Sequence, residues 1–141
     1  DSNGQVISTQ NYNIIYSSNK KVGNGTVKIV FKGNYSGTIT KIFKIVPKKV
    51  SLTKATNIKG KKVKLGWKKV SGISGYEIQY GTNKSFKKAK TTTAKSSLKT
   101  KTITKLKNKK KYYFRMRAYK NVSGTKVYGV YSSKKTVKIT K

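Results

Sequence analysis

The chain of 141 residues has no histidine, no cysteine and only 2 acidic side chains, Asp1 and Glu77. Without cysteine it can form no disulfide, thiol nucleophile or cysteine-based zinc site. Without histidine, and with its two carboxylates far apart in sequence, it cannot assemble a serine-histidine relay, a paired-carboxylate mechanism or a ligand cluster for zinc or calcium. A Ser-Lys dyad would need a lysine desolvated enough to be neutral, which lysines on a solvated sheet face are not. The chain is therefore expected to be no enzyme and to need no cofactor and no metal. It also lacks any run near the roughly 20 apolar residues that span a bilayer, and any charged-then-apolar leader at its start, so as it stands it is expected to be soluble.

Basic charge is what the chain has in excess: Lys and Arg total 35, giving a net charge of +33. Folding requires nothing of the kind. Such a surface repels itself and attracts polyanions, so it bears on partners rather than on fold. An AT-rich genome would enrich lysine, but that does not account for the near absence of acids. The hydrophobic share of 34% is low, and low hydrophobicity with high charge is the signature of disorder. Against that stand an aromatic share of 11%, mostly tyrosine, and a sustained alternation of apolar residues.

Tyr12, Ile14 and Tyr16 alternate, as do Val27, Ile29 and Phe31, and Ile39, Phe43 and Ile45 share one parity. This period of two reads as three half-buried antiparallel strands, with a short leading strand expected at Val6 and Ile7. Gly23, Asn24, Gly25, Gly33, Asn34 and Gly37 supply turns between them. The only proline, Pro47, lacks a backbone donor and lies where this pattern ends, so the boundary is placed there: a module at 1–47 and a second at 48–141. In the second module strands are predicted at 50–56, 62–69, 75–82, 84–93, 98–104, 111–120 and 127–139, the last with a break near Ser132. Seven short strands separated by turns are the pattern of a β-sandwich. No apolar run keeps a 3.6-residue period, so almost no helix is expected. The glycine-rich turns VGNGT and SGISG are hairpin material, with no phosphate-binding fingerprint.

Trp67, the Tyr76, Ile78, Tyr80 alternation in GYEIQY, the segment LKNKKKYYFRMRAY from Leu106 to Tyr119 and the final VYGVYSSKKTVKIT together resemble a fibronectin type III domain. The resemblance implies an all-β fold, a seven-stranded sandwich over 48–141, preceded by a smaller and incomplete antiparallel module. It implies a core of Trp67, Tyr76, Ile78, Leu106, Tyr112, Phe114 and Met116, and gives Tyr112 the tyrosine-corner role, with its hydroxyl bonded to backbone near Leu106. Residues 1–47 are similar to the ends of repeats found in clostridial and other Gram-positive surface proteins. Those repeats carry further strands before the point matched by Asp1, and a core of this size is marginal alone. Either the upstream strands have been removed, for instance by proteolysis, or its open edge pairs with another chain.

Glu77, between two inward residues, must face outward. On the strand expected beside it Arg115 and Arg117, the only arginines, alternate with Phe114 and Met116 and face the same way, so a cross-strand ion pair is expected. Its plain reading is a surface pair worth about 0–1 kcal/mol. The functional reading joins Tyr113, Arg115, Arg117, Tyr119 and Gln79 into an aromatic and cationic face that stacks on sugars or bases. Lysines cluster at Lys61 and Lys62, Lys68 and Lys69, Lys87, Lys88 and Lys90, Lys107, Lys109, Lys110 and Lys111, and Lys134 and Lys135. With Arg115 and Arg117 these are the expected polyanion-binding residues, a diffuse coat that binds by counterion release with little specificity.

The expected function is that of a non-catalytic adhesion module, the C-terminal part of a larger extracellular protein at the surface or wall of a Gram-positive bacterium, holding anionic wall polymer such as teichoic acid or acidic glycan. Extracellular nucleic acid is a further partner in line with the charge, though no nucleic-acid motif supports it. A structural spacer carrying other domains, and a filament subunit completed by strand donation, are the alternatives. A monomer is expected because +33 on each copy opposes self-association.

Overall fold

The computed structural model describes residues 3–140. The chain divides into two compact units between Ile45 and Val46. In the first unit β1 (Tyr12–Ser17), β2 (Gly23–Phe31) and β3 (Thr38–Ile45) form an antiparallel meander in the order β1-β2-β3. The register sets Tyr12, Ile14 and Tyr16 opposite Phe31, Ile29 and Val27, and Ile29 opposite Ile39, so the alternation places all of them on one face. A Cβ at Gly25 would stand 2.6 Å from Phe43 Cζ. Glycine there lets the Phe43 ring cross β2 and meet Tyr16 edge-on, with centroids 6.5 Å apart.

No second layer covers this face among the described residues of the unit. Ile14 is 48% and Tyr16 58% exposed, and Gly25 alone of its described residues is buried. The leading strand expected at Val6 and Ile7 does not form. Val6 is 97% exposed, and the chain instead enters a single 3-10 turn at Thr9–Asn11, capped by Ser8 Oγ accepting from the Gln10 amide. With no apolar surface to pack against, a local side-chain cap satisfies the backbone where a ladder was expected.

The second unit is a two-layer sandwich. Its first sheet, β4-β5-β8, is built from Leu52–Ile58, Lys62–Trp67 and Thr100–Ile103. The second runs β10-β9-β6-β7, from Thr125–Tyr128, Lys111–Val122, Gly75–Gly81 and Lys90–Lys95, and β11 (Lys135–Lys138) also pairs with β9. Every pairing is antiparallel. Trp67, Tyr76, Ile78, Leu106, Tyr112, Phe114 and Met116 all lie in the shared core. Each fully buried side chain of this size contributes about 1.5–3 kcal/mol by leaving water, which is what the first unit lacks. Tyr76, with no exposed surface, keeps its hydroxyl paired by accepting from the Val70 amide at 2.9 Å. Tyr112 accepts from the Lys107 amide at 3.2 Å, one residue past Leu106, and so ties down the loop between the sheets.

One segment departs from the expected strands. Residues 82–89, read as the end of one strand at 82 and the start of the next at 84, are turns: Asn83 Oδ1 accepts from the amide and hydroxyl of Ser85, and Phe86 and Lys88 take positive φ of 62° and 54°. An asparagine side chain that mimics a turn outcompetes ladder pairing. The break expected near Ser132 is present: residues 129–134 leave the ladder and divide the last segment into β10 and β11, so that eight strands are counted where seven were expected. Across the gap Ser132 replaces the ladder, its amide donating to Met116 O at 2.7 Å and its Oγ accepting from Met116 N at 3.1 Å. At the same break a Cβ on Gly129 would stand 2.5 Å from the Pro47 carbonyl oxygen.

Candidate functional site

Alternation along β6 and β9 turns Tyr76, Ile78, Phe114 and Met116 inward and Glu77, Gln79, Arg115 and Arg117 outward. The register sets Glu77 opposite Arg117 and Gln79 opposite Arg115. Arg117 Nε donates to Glu77 Oε1 at 2.8 Å, and Arg115 Nε donates to Gln79 Oε1 at 2.7 Å. This is the ion pair expected from sequence, joined by a partner that was not: Tyr131 Oη also donates to Glu77 Oε1, at 2.9 Å.

Both guanidinium planes are covered by rings. Arg115 Cζ lies 4.2 Å from the Phe86 centroid and 4.0 Å from that of Tyr131, while Arg117 Cζ lies 4.5 Å from Tyr131 and 3.8 Å from Tyr128. The stack Phe86, Arg115, Tyr131, Arg117, Tyr128 continues to Tyr119, whose centroid is 6.0 Å from that of Tyr128, with Lys126 Nζ 4.7 Å from the Tyr119 ring. The two arginines thus spend their flat faces on the protein's own rings, and a face free to stack on sugars or bases at these positions is not what the structure presents. The stack locks the loop at 82–89 and the break at 129–134 to the sheet. Each such contact is worth about 0.5–1 kcal/mol at a partly exposed site.

Burial raises the Tyr131 hydroxyl above the ordinary tyrosine value, and the hydrogen bond and negative charge of Glu77 act the same way. The charges of Arg117 and Arg115 oppose this. Phe86, Tyr128 and Tyr131 were missed from sequence although they lie within the strands predicted at 84–93 and 127–139, because a strand reading alone does not show which outward residues close over the arginines. The spacing of two aromatics in VYGVYSS was the one available signal.

The expected lysines sit on turns and outward strand positions. Lys61, Lys62, Lys68, Lys69, Lys87, Lys88, Lys90, Lys107, Lys109, Lys110, Lys111 and Lys134 are exposed, and Lys135, Arg115 and Arg117 are half-buried. Among the described residues the single ion pair is the one between Arg117 and Glu77, so no lysine there is neutralised by a carboxylate. Nor do they hold any group of three or more residues of metal-ligating type.

Several parts of this surface are concave, with volumes of about 320–470 Å³, and one of them gathers four lysines. A cleft of about 450 Å³ is lined by Tyr80, Gly81, Thr82, Lys88, Lys90, Thr104, Lys105, Leu106, Lys107 and Tyr112. It brings together the end of β6, the start of β7 and the loop between β8 and β9. Lys88, Lys90 and Lys107 belong to the expected set, whereas Lys105, which takes a positive φ of 57°, was missed.

Compared with solved structures, the chain is similar to the FN1-FN3 domains of chicken CNTN1, with a TM-score of 0.61 at 16% identity over 88% of this chain and 45% of that one. It spans less than half of that structure. It is also similar to a structure described as a myokine, with a TM-score of 0.54 at 12% identity over 67% of this chain and 99% of that one. At these identities the likeness concerns the fold alone. No curated protein matches the sequence. The model of the fibronectin type III domain matches residues 47–129, more than half of the sequence, and the chain belongs to the fibronectin type III domain family.

Proposed function

We propose that this chain is a non-catalytic adhesion module of a larger extracellular protein, at the surface or wall of a Gram-positive bacterium, which holds anionic polymer such as teichoic acid or acidic glycan through its lysine coat. Fibronectin type III domains are in general non-catalytic binding or spacer modules, which supports the class. The observation that carries the reading is the net charge of +33 together with lysines that are solvent-facing and, among the described residues, unpaired with carboxylates. Charge of one sign on a rigid sandwich raises the local concentration of polyanion and binds it by releasing its counterions. The setting rests on the resemblance read in the sequence of residues 1–47 alone, since the family match begins at residue 47. The test is retention of the chain on immobilised wall polymer, acidic glycan and DNA, each eluted by a salt gradient. Steep salt dependence with little preference among polymers is expected, and absence of retention at low salt would leave the spacer reading standing.

A second reading is favoured by the uncovered sheet of the first unit. There the chain is a subunit of a surface filament, the missing layer or edge supplied by a strand of the next copy. Mass measurement in solution with and without a polyanion tests it, because the charge on each copy must be screened before copies associate.

A further inference from the structure

The cleft stands apart from the neighbouring concave parts of the basic surface in its lining, not in its size: those that include Lys134 reach about 320 and 460 Å³ with three cationic side chains each. It carries Lys88, Lys90, Lys105 and Lys107 and no carboxylate. Convergent ammonium groups around a concave, low-dielectric wall focus positive potential far more than the same charges on a convex strand. Its other contributions are Leu106, the hydroxyls of Thr82 and Thr104, and the rings of Tyr80 and Tyr112. Tyr80 is held rigid by stacking on Phe114, centroids 6.1 Å apart and planes at 13°. Tyr112 is fixed by the hydrogen bond from the Lys107 amide. The volume of about 450 Å³ falls within the range of about 300–1,000 Å³ of small-molecule sites. Lys88 and Lys105 are held at positive φ of 54° and 57°, a conformation rare for residues other than glycine, asparagine and aspartate. Lys61 and Lys109, outside the cleft, share this conformation, so positive φ fixes where Lys88 and Lys105 sit without marking the cleft by itself.

From this we infer that the cleft is a discrete binding site for a single anionic sugar residue, a hydroxylated ring bearing carboxylate, sulfate or phosphate. The ammonium groups hold the anionic oxygens, the threonine hydroxyls and the Tyr80 phenol bond the sugar hydroxyls, and the rigid aromatic floor packs on the ring. This rests on the polyanion reading and sharpens it: the coat gathers the polymer without selectivity, and the cleft selects one of its residues.

The test uses the full chain labelled with nitrogen-15 at about 150 mM salt, where non-specific binding is weak. The probes are a galacturonate disaccharide, a sulfated chondroitin disaccharide and glucose 6-phosphate, with maltose as the neutral control. Saturable amide shifts confined to 80–82, 88–90 and 104–107 with at least one anionic probe, and none with maltose, are expected. Which probe saturates tells carboxylate, sulfate and phosphate apart. Asparagine tolerates positive φ, so Lys88→Asn with Lys105→Asn removes two charges without straining the turns. That pair should weaken the binding about ten-fold, or about 1.4 kcal/mol. Lys20→Asn with Lys21→Asn, in the other unit, removes as much charge and should change it less than about two-fold. Shifts scattered over lysines throughout the chain, equal losses from both pairs, or no saturable shift with any probe would overturn the site. If the chain then still binds a polyanion column, the coat reading survives the loss of the cleft; if column binding is absent as well, both fail.

Discussion

Tyr131 donates its hydroxyl to Glu77 Oε1 at 2.9 Å, the same oxygen that takes the Arg117 Nε proton at 2.8 Å. Glu77 is the one acid among the described residues, and it serves not the surface but the joint between β6, β9 and the break after β10. The side chains of Arg117 and Glu77 are 26% and 14% exposed, too covered for a purely screened surface pair. A double-mutant cycle of Glu77→Gln and Arg117→Gln, followed by urea denaturation, is expected to show a coupling of about 1 kcal/mol, near the low end for residues in one network. A coupling indistinguishable from zero would return the pair to surface decoration.

The same hydroxyl gives a pH dependence. Its value is raised above that of an ordinary tyrosine, about 10, so the folded state favours the neutral phenol. The stabilisation is complete below that ordinary value and is lost as pH rises through the raised one. Tyr131→Phe should remove this part of the alkaline loss of stability. In an ultraviolet titration of phenolate absorbance it should delete a tyrosine from the late-ionising end. Loss of an early-ionising tyrosine would contradict the burial argument.

Tyr76→Phe changes no packing volume but leaves the Val70 amide without its acceptor. A cost of about 1–3 kcal/mol is expected, the desolvation penalty of an unpaired donor. Tyr112→Phe does the same to the Lys107 amide at a longer 3.2 Å, and should cost less than Tyr76→Phe. Thermal or denaturant midpoints of the two variants check the order.

Gly129→Ala should destabilise by about 1–3 kcal/mol, the usual range for overpacking. The added methyl would meet the Pro47 carbonyl oxygen, which is backbone and cannot rotate aside. Gly72→Ala makes the contrast: no heavy atom lies within 4 Å of that Cβ, and its cost comes only from a positive φ of 70°.

Hydrogen exchange should separate the two units. Strands β1, β2 and β3 bury no large apolar side chain among their described residues, so their amides should open at low free energy, while those of β6 and β9 exchange near the global limit. Equal protection would show that the first sheet is covered in solution.

Much of the sandwich was legible because alternation is a direct record of which face meets the core. Trp67, Tyr76, Ile78, Phe114 and Met116 are inward for that reason, and Glu77 faces Arg117 because both are out of phase with them. What period could not reveal lies where local hydrogen bonds decide. Asn83 turns 82–89 away from the ladder, and Ser132 pairs with Met116 at the break expected near it, so Phe86 and Tyr131 reach the arginines from non-strand segments whose course the period alone did not show. The cleft was invisible for a similar reason. Its lysines come from the turn before β7, from the first residue of β7 and from the loop between β8 and β9, and only the closure of the sandwich brings them to one rim.

The most direct measurement is the affinity of the full chain for a defined acidic polymer between about 50 and 200 mM salt. A logarithm of the binding constant that falls linearly with the logarithm of salt, with a slope of several units, is expected from release of counterions. Affinity that holds constant over that range would contradict a function carried by exposed lysine charge.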